Sequence, residues 1–308
     1  MRAATVANHW PKHTDLPVGV VDAHTHVFSP EVIASRAKFI GRDLWFEHLY
    51  ENPKALLVGG DDLLRSMDEA GIAQAVVCGF PWHDLGVCRE HNDYLAEVTR
   101  GAGGRLAWLG VVSPAAGSAA AIEADRCFRL GAVGLGELNA DAQRFDLTAA
   151  VCLAPVVDVC VAADRPLMLH TTEPVGHAYP GKGTATPDRL LSFLLAFPLL
   201  RVVAAHWGGG LPFYELMPEV AAAAANVVYD SAASTYLYRP QVFRTVLDLV
   251  GPERVLFASD YPVLRQDRFL RRTVATGLGP EEIGPVLGEN ARRVYRLPLS
   301  DVQAEAGA

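Results

Sequence analysis

His24 and His26 stand one residue apart in "VVDAHTHVFSP" (residues 20–30), at the end of a run of small apolar residues. An extended strand points residues i and i+2 to one face, so the two imidazoles project together, in line with Asp22. Two neutral imidazoles converging on one spot suit a divalent metal. The alternative left open by this stretch alone is a polar strand end whose histidines bond to backbone. Further along, other apolar runs close on single residues of the same chemistry: Glu137 in "GLGELN", His170 in "PLMLHTTE", His206 in "RVVAAHWG" and Asp260 in "RVLFASDYP". A lone histidine on an apolar strand is more often a satisfied core residue than a ligand. Brought together in one pocket without an ion, however, these imidazoles and carboxylates would carry heavy desolvation costs. For Glu137 an ion pair with a rim Arg or Lys is the competing reading.

The elements that must position them are short apolar runs separated by helix-like stretches. Eight runs are legible, at 19–27, 73–80, 105–113, 132–139, 166–173, 201–208, 226–233 and 254–262. Between them lie segments such as "DDLLRSMDEAG" and "GSAAAIEADRCFRLG", which end in glycine as helices do. Eight such units predict an α/β fold, a closed (β/α)8 barrel of the TIM type. Closure leaves no edge strand to protect, and single barrels run to ~250 residues. An open doubly wound sheet is the structural runner-up. In the barrel, the six residues sit at the C-terminal strand ends, where this fold places its chemistry.

No Ser/Gly linker or charge run divides the chain, so residues 1–308 read as one domain with a core of about 19–297 and terminal extensions at 1–18 and 298–308. The "AAAAA" at 221–225 fits inside a helix. Region 28–60 is off cadence and rich in Phe39, Trp45, Phe46, His48 and Tyr50; a long loop there would cover the barrel mouth.

A formal charge of −8 argues against gripping nucleic acid or an anionic membrane through the net field. The odd set of five cysteines has no CxxC pair and suggests a reducing compartment. With no apolar leader in "MRAATVANHWPKHTDLP" and no stretch long enough to span a bilayer, a cytoplasmic location is expected. An oligomer is possible, through loops or outer helices.

From "DAHTHVF" through "LHTTEP", "AHWGGG" and "LFASDYP" to "LGENARRVYRL", the chain resembles the amidohydrolase superfamily, in the amidohydrolase-related branch that includes the aminocarboxymuconate semialdehyde decarboxylases. The resemblance implies His24 and His26 as strand 1 metal ligands and Asp260 as a ligand that also handles a proton. It implies His170 and His206 as strand 5 and strand 6 residues that hold a second metal, or divide into one ligand and one residue polarising the substrate. Glu137 departs from the decarboxylase-type members and is similar to the strand 4 Glu that bridges two metals in TatD-like metal-dependent deoxyribonucleases. It is therefore a further candidate ligand.

Imidazole and carboxylate ligands suit zinc, with manganese possible, as one ion or two. Such an ion lowers the pKa of bound water towards ~7. Asp260, with His206, would then serve as the catalytic pair. No GxSxG, P-loop or GxGxxG signature offers another route. The leading expectation is a metal-dependent hydrolase of a small organic amide, lactone or ester. A non-oxidative, metal-dependent decarboxylase of a small carboxylic acid is the alternative, and a phosphodiester hydrolase the third. A barrel that kept its shape as a binding scaffold is disfavoured by the complete ligand set.

Substrate contacts are expected from the long loop after strand 5, "TTEPVGHAYPGKGTATP", through Glu173, His177, Tyr179 and Lys182. Trp82, His83, Trp207, Tyr236, Tyr238 and Arg239 are placed by the same logic along the cavity. Aromatic walls with a Lys or Arg would suit a ring or a carboxylate. The "GGG" at 208–210 reads as an anion-binding helix start or as a tight turn beside the site.

Overall fold

The computed structural model describes residues 19–298. Eight parallel strands follow one another around a barrel in sequence order. They are β1 (Val21–His26), β2 (Gln74–Cys78), β3 (Leu106–Gly110), β4 (Gly134–Leu138), β5 (Leu167–Leu169), β6 (Val202–Ala204), β7 (Val227–Asp230) and β8 (Val255–Leu256). Each lies inside one of the eight apolar runs. Main-chain bonds close the ring between β1 and the segment after β8: Ala23 N donates to Phe257 O (2.9 Å), Asp260 N to His24 O (2.9 Å) and His26 N to Tyr261 O (2.7 Å). The parts of the chain expected as terminal extensions, residues 1–18 and, from 299, the rest of 298–308, lie outside the described residues.

Alternation along the strands divides the core into two shells. Val76, Cys78, Met168 and Val203 meet inside the barrel, where Cys78 Sγ and Met168 Sδ lie 3.5 Å apart across the ring. Ala75, Val77, Leu167, Leu169, Val202 and Ala204 face outward and pack under the helices.

Two strands break the alternation, and both carry site residues. Between the pairs Val21↔Gln74 and His26↔Cys78, β1 uses one residue more than β2. Between Leu135↔Leu167 and Leu138↔Leu169, β4 uses one more than β5. An inserted residue re-aims everything beyond it. This corrects the expectation that Asp22 lines up with His24 and His26, because Asp22 lies before the irregularity and turns to the β8 seam. There it accepts from Ser259 N (2.9 Å), Ser259 Oγ (2.5 Å) and Gln266 Nε2 (2.8 Å). In β4 the irregular stretch contains Gly136, at φ +132°, where a Cβ would come within 2.6 Å of Met168 Cβ. Only glycine fits that approach.

The region expected as one long loop after β1 contains three short helices, Pro30–Ala34, Arg36–Ile40 and Leu44–Tyr50. Local capping supports the first and the third: Ser29 Oγ accepts from Val32 N (3.3 Å), and Asp43 Oδ1 accepts from Trp45 N and Phe46 N (both 2.9 Å). Their aromatic residues do cover the mouth. Phe46 stacks on Trp82 with ring centroids 5.0 Å apart, and Phe80 lies 4.6 Å from Trp82. The alanine run is only partly helical, since its helix spans Pro218–Ala223 and Ala224 is the cap. No helix among the described residues is long and apolar enough to cross a membrane.

Candidate metal centre and cavity

All six strand-end residues converge at the C-terminal mouth and are buried: His24 is 0% exposed and none of the other five exceeds 9%. Their ligating atoms form two groups, His24, His26 and Asp260, and Glu137, His170 and His206. Within each group those atoms lie within 4.8 Å of one another.

In the first group, His24 Nδ1 meets Asp230 Oδ2 at 2.8 Å. A proton held there leaves His24 Nε2 as a lone pair. That nitrogen faces His26 Nε2 at 3.0 Å and Asp260 Oδ1 at 3.8 Å, while Asp260 Oδ1 lies 3.4 Å from His26 Nε2. Burial works against charge on His24, yet its pKa is raised well above the usual imidazole value, with the Asp230 and Glu137 carboxylates among the causes. A field that holds a proton there would equally hold a metal cation. The donor set fits a divalent ion.

The second group is tied together through one oxygen of Glu137. Glu137 Oε1 accepts from His170 Nδ1 (2.9 Å) and lies 3.3 Å from His206 Nε2, while Oε2 faces His24 Nε2 at 3.6 Å. Burial alone would raise the Glu137 pKa; the His170 and His24 charges overcome it and hold the carboxyl well below its usual range. His206 also resists burial and is pushed up to about 9 by its hydrogen bond to Glu137 and the neighbouring carboxylates. The remaining nitrogens of both rings face main-chain carbonyls, His170 Nε2 at Gly181 O (2.8 Å) and His206 Nδ1 at Ala232 O (3.2 Å). Glu137 therefore pairs with histidines, and the rim Arg or Lys considered for it is not its partner.

Backbone strain gathers at the same strand ends. His206 (φ 56°), Trp207 (φ 59°), Ala233 (φ 54°) and Asp260 (φ 60°) are all left-handed and none is glycine. Gly208–Gly210 have positive φ as well, and a Cβ on Gly209 would strike Thr172 O at 2.3 Å. The triple glycine is a tight turn rather than an anion-binding helix start.

Above the two groups lies a cavity of about 370 Å³, walled by Trp45, Leu49, Tyr50, Phe80, Leu237 and Val263. Of the expected substrate residues, His177, Tyr179 and Tyr236 line it. Seven others do not, each for a visible reason. The Glu173 carboxylate turns to the Tyr179 hydroxyl, which donates to it at 2.8 Å. Lys182 Nζ ties its own loop together through Val175 O (2.6 Å) and His177 O (3.3 Å). Trp207 is fully buried behind His206, its indole donating to Ser234 Oγ at 2.6 Å. His83 is anchored by its main-chain N–H to Asp43 Oδ2 (3.0 Å), with Nδ1 against Gln143 O (3.3 Å). Tyr238 and Arg239 open into a different cavity, and Trp82 is fully buried against Phe46.

Asp230 was passed over in the sequence, although it closes β7 in "NVVYDSAA" as Asp260 closes its own run. Beyond His24, it accepts from His206 N (2.8 Å) and Ala232 N (3.0 Å). Asn139, one residue beyond β4, also lines the cavity and was not singled out.

A model of the family described as "Amidohydrolase" matches residues 21–297. Among solved structures, the chain is similar to 5-carboxyvanillate decarboxylase from Sphingomonas paucimobilis (19% identity, TM-score 0.76, 92% of this chain and 100% of that one). It is also similar to 2,6-dihydroxybenzoate decarboxylase complexed with 2,6-dihydroxybenzoate (22%, 0.72, 91% and 100%). A third is 5-carboxyvanillate decarboxylase from Novosphingobium aromaticivorans, solved with manganese and 4-hydroxy-3-methoxy-5-nitrobenzoic acid (20%, 0.74, 91% and 96%). These likenesses correct the hydrolytic expectation, because the barrels matched here are those of decarboxylases. Glu137, the departure from decarboxylase-type members, engages His170 and His206 through Oε1 and turns Oε2 to His24 and His26.

Proposed function

The chain belongs to the amidohydrolase family, and from that premise we propose that residues 19–297 act as one catalytic domain, a metal-dependent, non-oxidative decarboxylase of a small aromatic carboxylic acid. The observation that carries this reading is the cavity: about 370 Å³, aromatic-walled, and floored by His26, Asp260, Glu137, His170 and His206, with His24 fully buried beside His26 and Asp260. That volume suits a single-ring ligand. Decarboxylation of the benzoate-type acids named for the similar structures supports the substrate class.

His24, His26 and Asp260 would hold one divalent ion, with manganese favoured by the similar structure that contains it and zinc also compatible with the ligand chemistry. When bound, the ion supplies Lewis acidity that orients the acid and draws electron density from it. Asp230 fixes the tautomer of His24. Glu137 holds His170 and His206 in place, and its strand 4 position carries the likeness to TatD-like enzymes without a second ion. Loss of carbon dioxide from a ring requires a proton at the carbon that loses it. Asp260 would take up a proton from solvent and pass it to the ring carbon, the C–CO2 bond breaks with its electron pair returning to the ring, and Asp260 is left as the carboxylate. His206, beside it, polarises the substrate. Trp45, Tyr50 and Phe80 exclude water and sandwich the ring, and Tyr179, His177 and Tyr236 meet its polar substituents.

The test is release of carbon dioxide from a panel of hydroxylated and methoxylated benzoates, with metal content measured in parallel. Release that depends on the ion and disappears in Asp260→Asn supports the reading. Protein that carries the ion yet releases no carbon dioxide from any ring-bearing acid overturns it.

A further inference from the structure

A second cavity, of about 400 Å³, lies outside the catalytic one, between the segment after β7 and the helix Gln266–Val274. Its floor is apolar, with Val242, Phe243 and Phe269 buried there. Arg239 and Arg272 stand exposed at its rim, no Asp or Glu contributes to its lining, and neither guanidinium has a carboxylate partner among the described residues. The flanking helix adds Arg268 and Arg271 against a single acid, Asp267. In a chain of formal charge −8 this is a local reversal of sign. Thr273, 0% exposed, also lines the cavity, and its hydroxyl has no hydrogen-bond partner. A buried hydroxyl left unpaired is destabilising, and an acceptor carried by a ligand would relieve it.

We propose that this cavity is a binding site for a small organic monoanion, with its ring or hydrocarbon body on Phe243 and Phe269 and its acidic group between Arg239, Arg272 and the Thr273 hydroxyl. The volume is within the range of small-molecule sites, and paired guanidiniums with a hydroxyl are the ordinary means of recognising a carboxylate or sulfonate. The site is separate from the catalytic cavity but shares a wall with it. The four-residue helix Ser234–Leu237 turns Tyr236 and Leu237 to the catalytic side and Ser234 and Thr235 to this one.

The experiment is a fluorescence titration of the metal-loaded protein with 1-anilinonaphthalene-8-sulfonate, beside its uncharged relative N-phenyl-1-naphthylamine. Arg239→Gln/Arg272→Gln, at two exposed positions, is expected to weaken one class of sulfonate site at least tenfold while changing the uncharged dye less than twofold. Thr273→Val, nearly isosteric, should weaken the same class severalfold. Tyr236→Ala, which alters only the catalytic wall, should leave it unchanged. Sulfonate affinity and stoichiometry unaffected by the double substitution would overturn the proposal. Equal weakening of both dyes would do the same, because the arginines would then be shaping the cavity rather than recognising charge.

Discussion

The strand ends beneath the proposed catalytic cavity form two halves of nearly the same material. One is His24, His26 and Asp260 at the β1 and β8 seam; the other is Glu137, His170 and His206 on the opposite side. Both pair two imidazoles with one carboxylate, and both are buried. They differ in what remains free once the protein has made its own hydrogen bonds. In the first half Asp230 takes the outer nitrogen of His24, which leaves a lone pair and the Asp260 carboxylate turned to one point. In the second half Glu137 takes one nitrogen from each ring and main-chain carbonyls take the others. Residue type and burial therefore do not by themselves make a metal site. The uncommitted lone pairs separate the two halves, and on them rests the proposal of one ion in the first, to which Glu137 Oε2 is also turned.

The comparison can be broken most sharply at the ion itself. His24→Ala or Asp260→Asn should remove the metal and reduce carbon dioxide release by about 10³-fold or more, with the barrel still folded by circular dichroism. A next test is Glu137→Gln, for which elemental analysis should still find one ion per chain while turnover falls by about 10²-fold. A fall from two ions to one would instead merge the two halves into a binuclear site. Asp230→Asn removes the carboxylate behind His24 while an amide oxygen can still accept from His206 N and Ala232 N, and metal affinity measured by competition with a chelator should weaken by about 10–100-fold.

The smallest effect concerns a buried histidine outside both halves. His91, on the helix Leu85–Arg100, is as buried as His206 but has no carboxylate beside it. Burial, aided by the charge of His26, pushes it down to about 3, whereas His206 is pushed up to about 9. For His91 the folded value lies below the unfolded one near 6.5, so the unfolded chain takes up a proton that the folded chain refuses. The stabilisation is complete above pH 6.5 and is lost as pH falls towards 3, about 2 kcal/mol of it by pH 5. Urea denaturation should show that slope in the parent protein and its loss in His91→Gln, which keeps an acceptor for Phe80 N.

The barrel was legible because each strand is a compact apolar run and every one ends in a turn signal. The six strand-end residues were legible because a parallel barrel brings corresponding ends together whatever their distance in sequence. Three features were not. The direction of Asp22 depends on an inserted residue in β1, and strict alternation gives no sign of it. The roles of Lys182 and Arg239 depend on loop conformation: Lys182 folds back on its own carbonyls and Arg239 is carried past the mouth into a second cavity. Asp230 could have been found, since it follows the rule that found Asp260; its run was read as a strand and its polar end was left unused.

The seam has a consequence for how the molecule becomes functional. β8 is two residues long, and the bonds that close it onto β1 join parts of the chain as far apart as Asp22 and Ser259, 237 residues away. Contacts of such separation carry a large loop-closure cost and tend to form late. His24 and His26 stand on one lip of this seam and Asp260 on the other, so three ligands exist as a set only after the ring has shut. The cation proposed there would act as a clasp across that joint, and a chain whose barrel is still open would lack the complete ligand set.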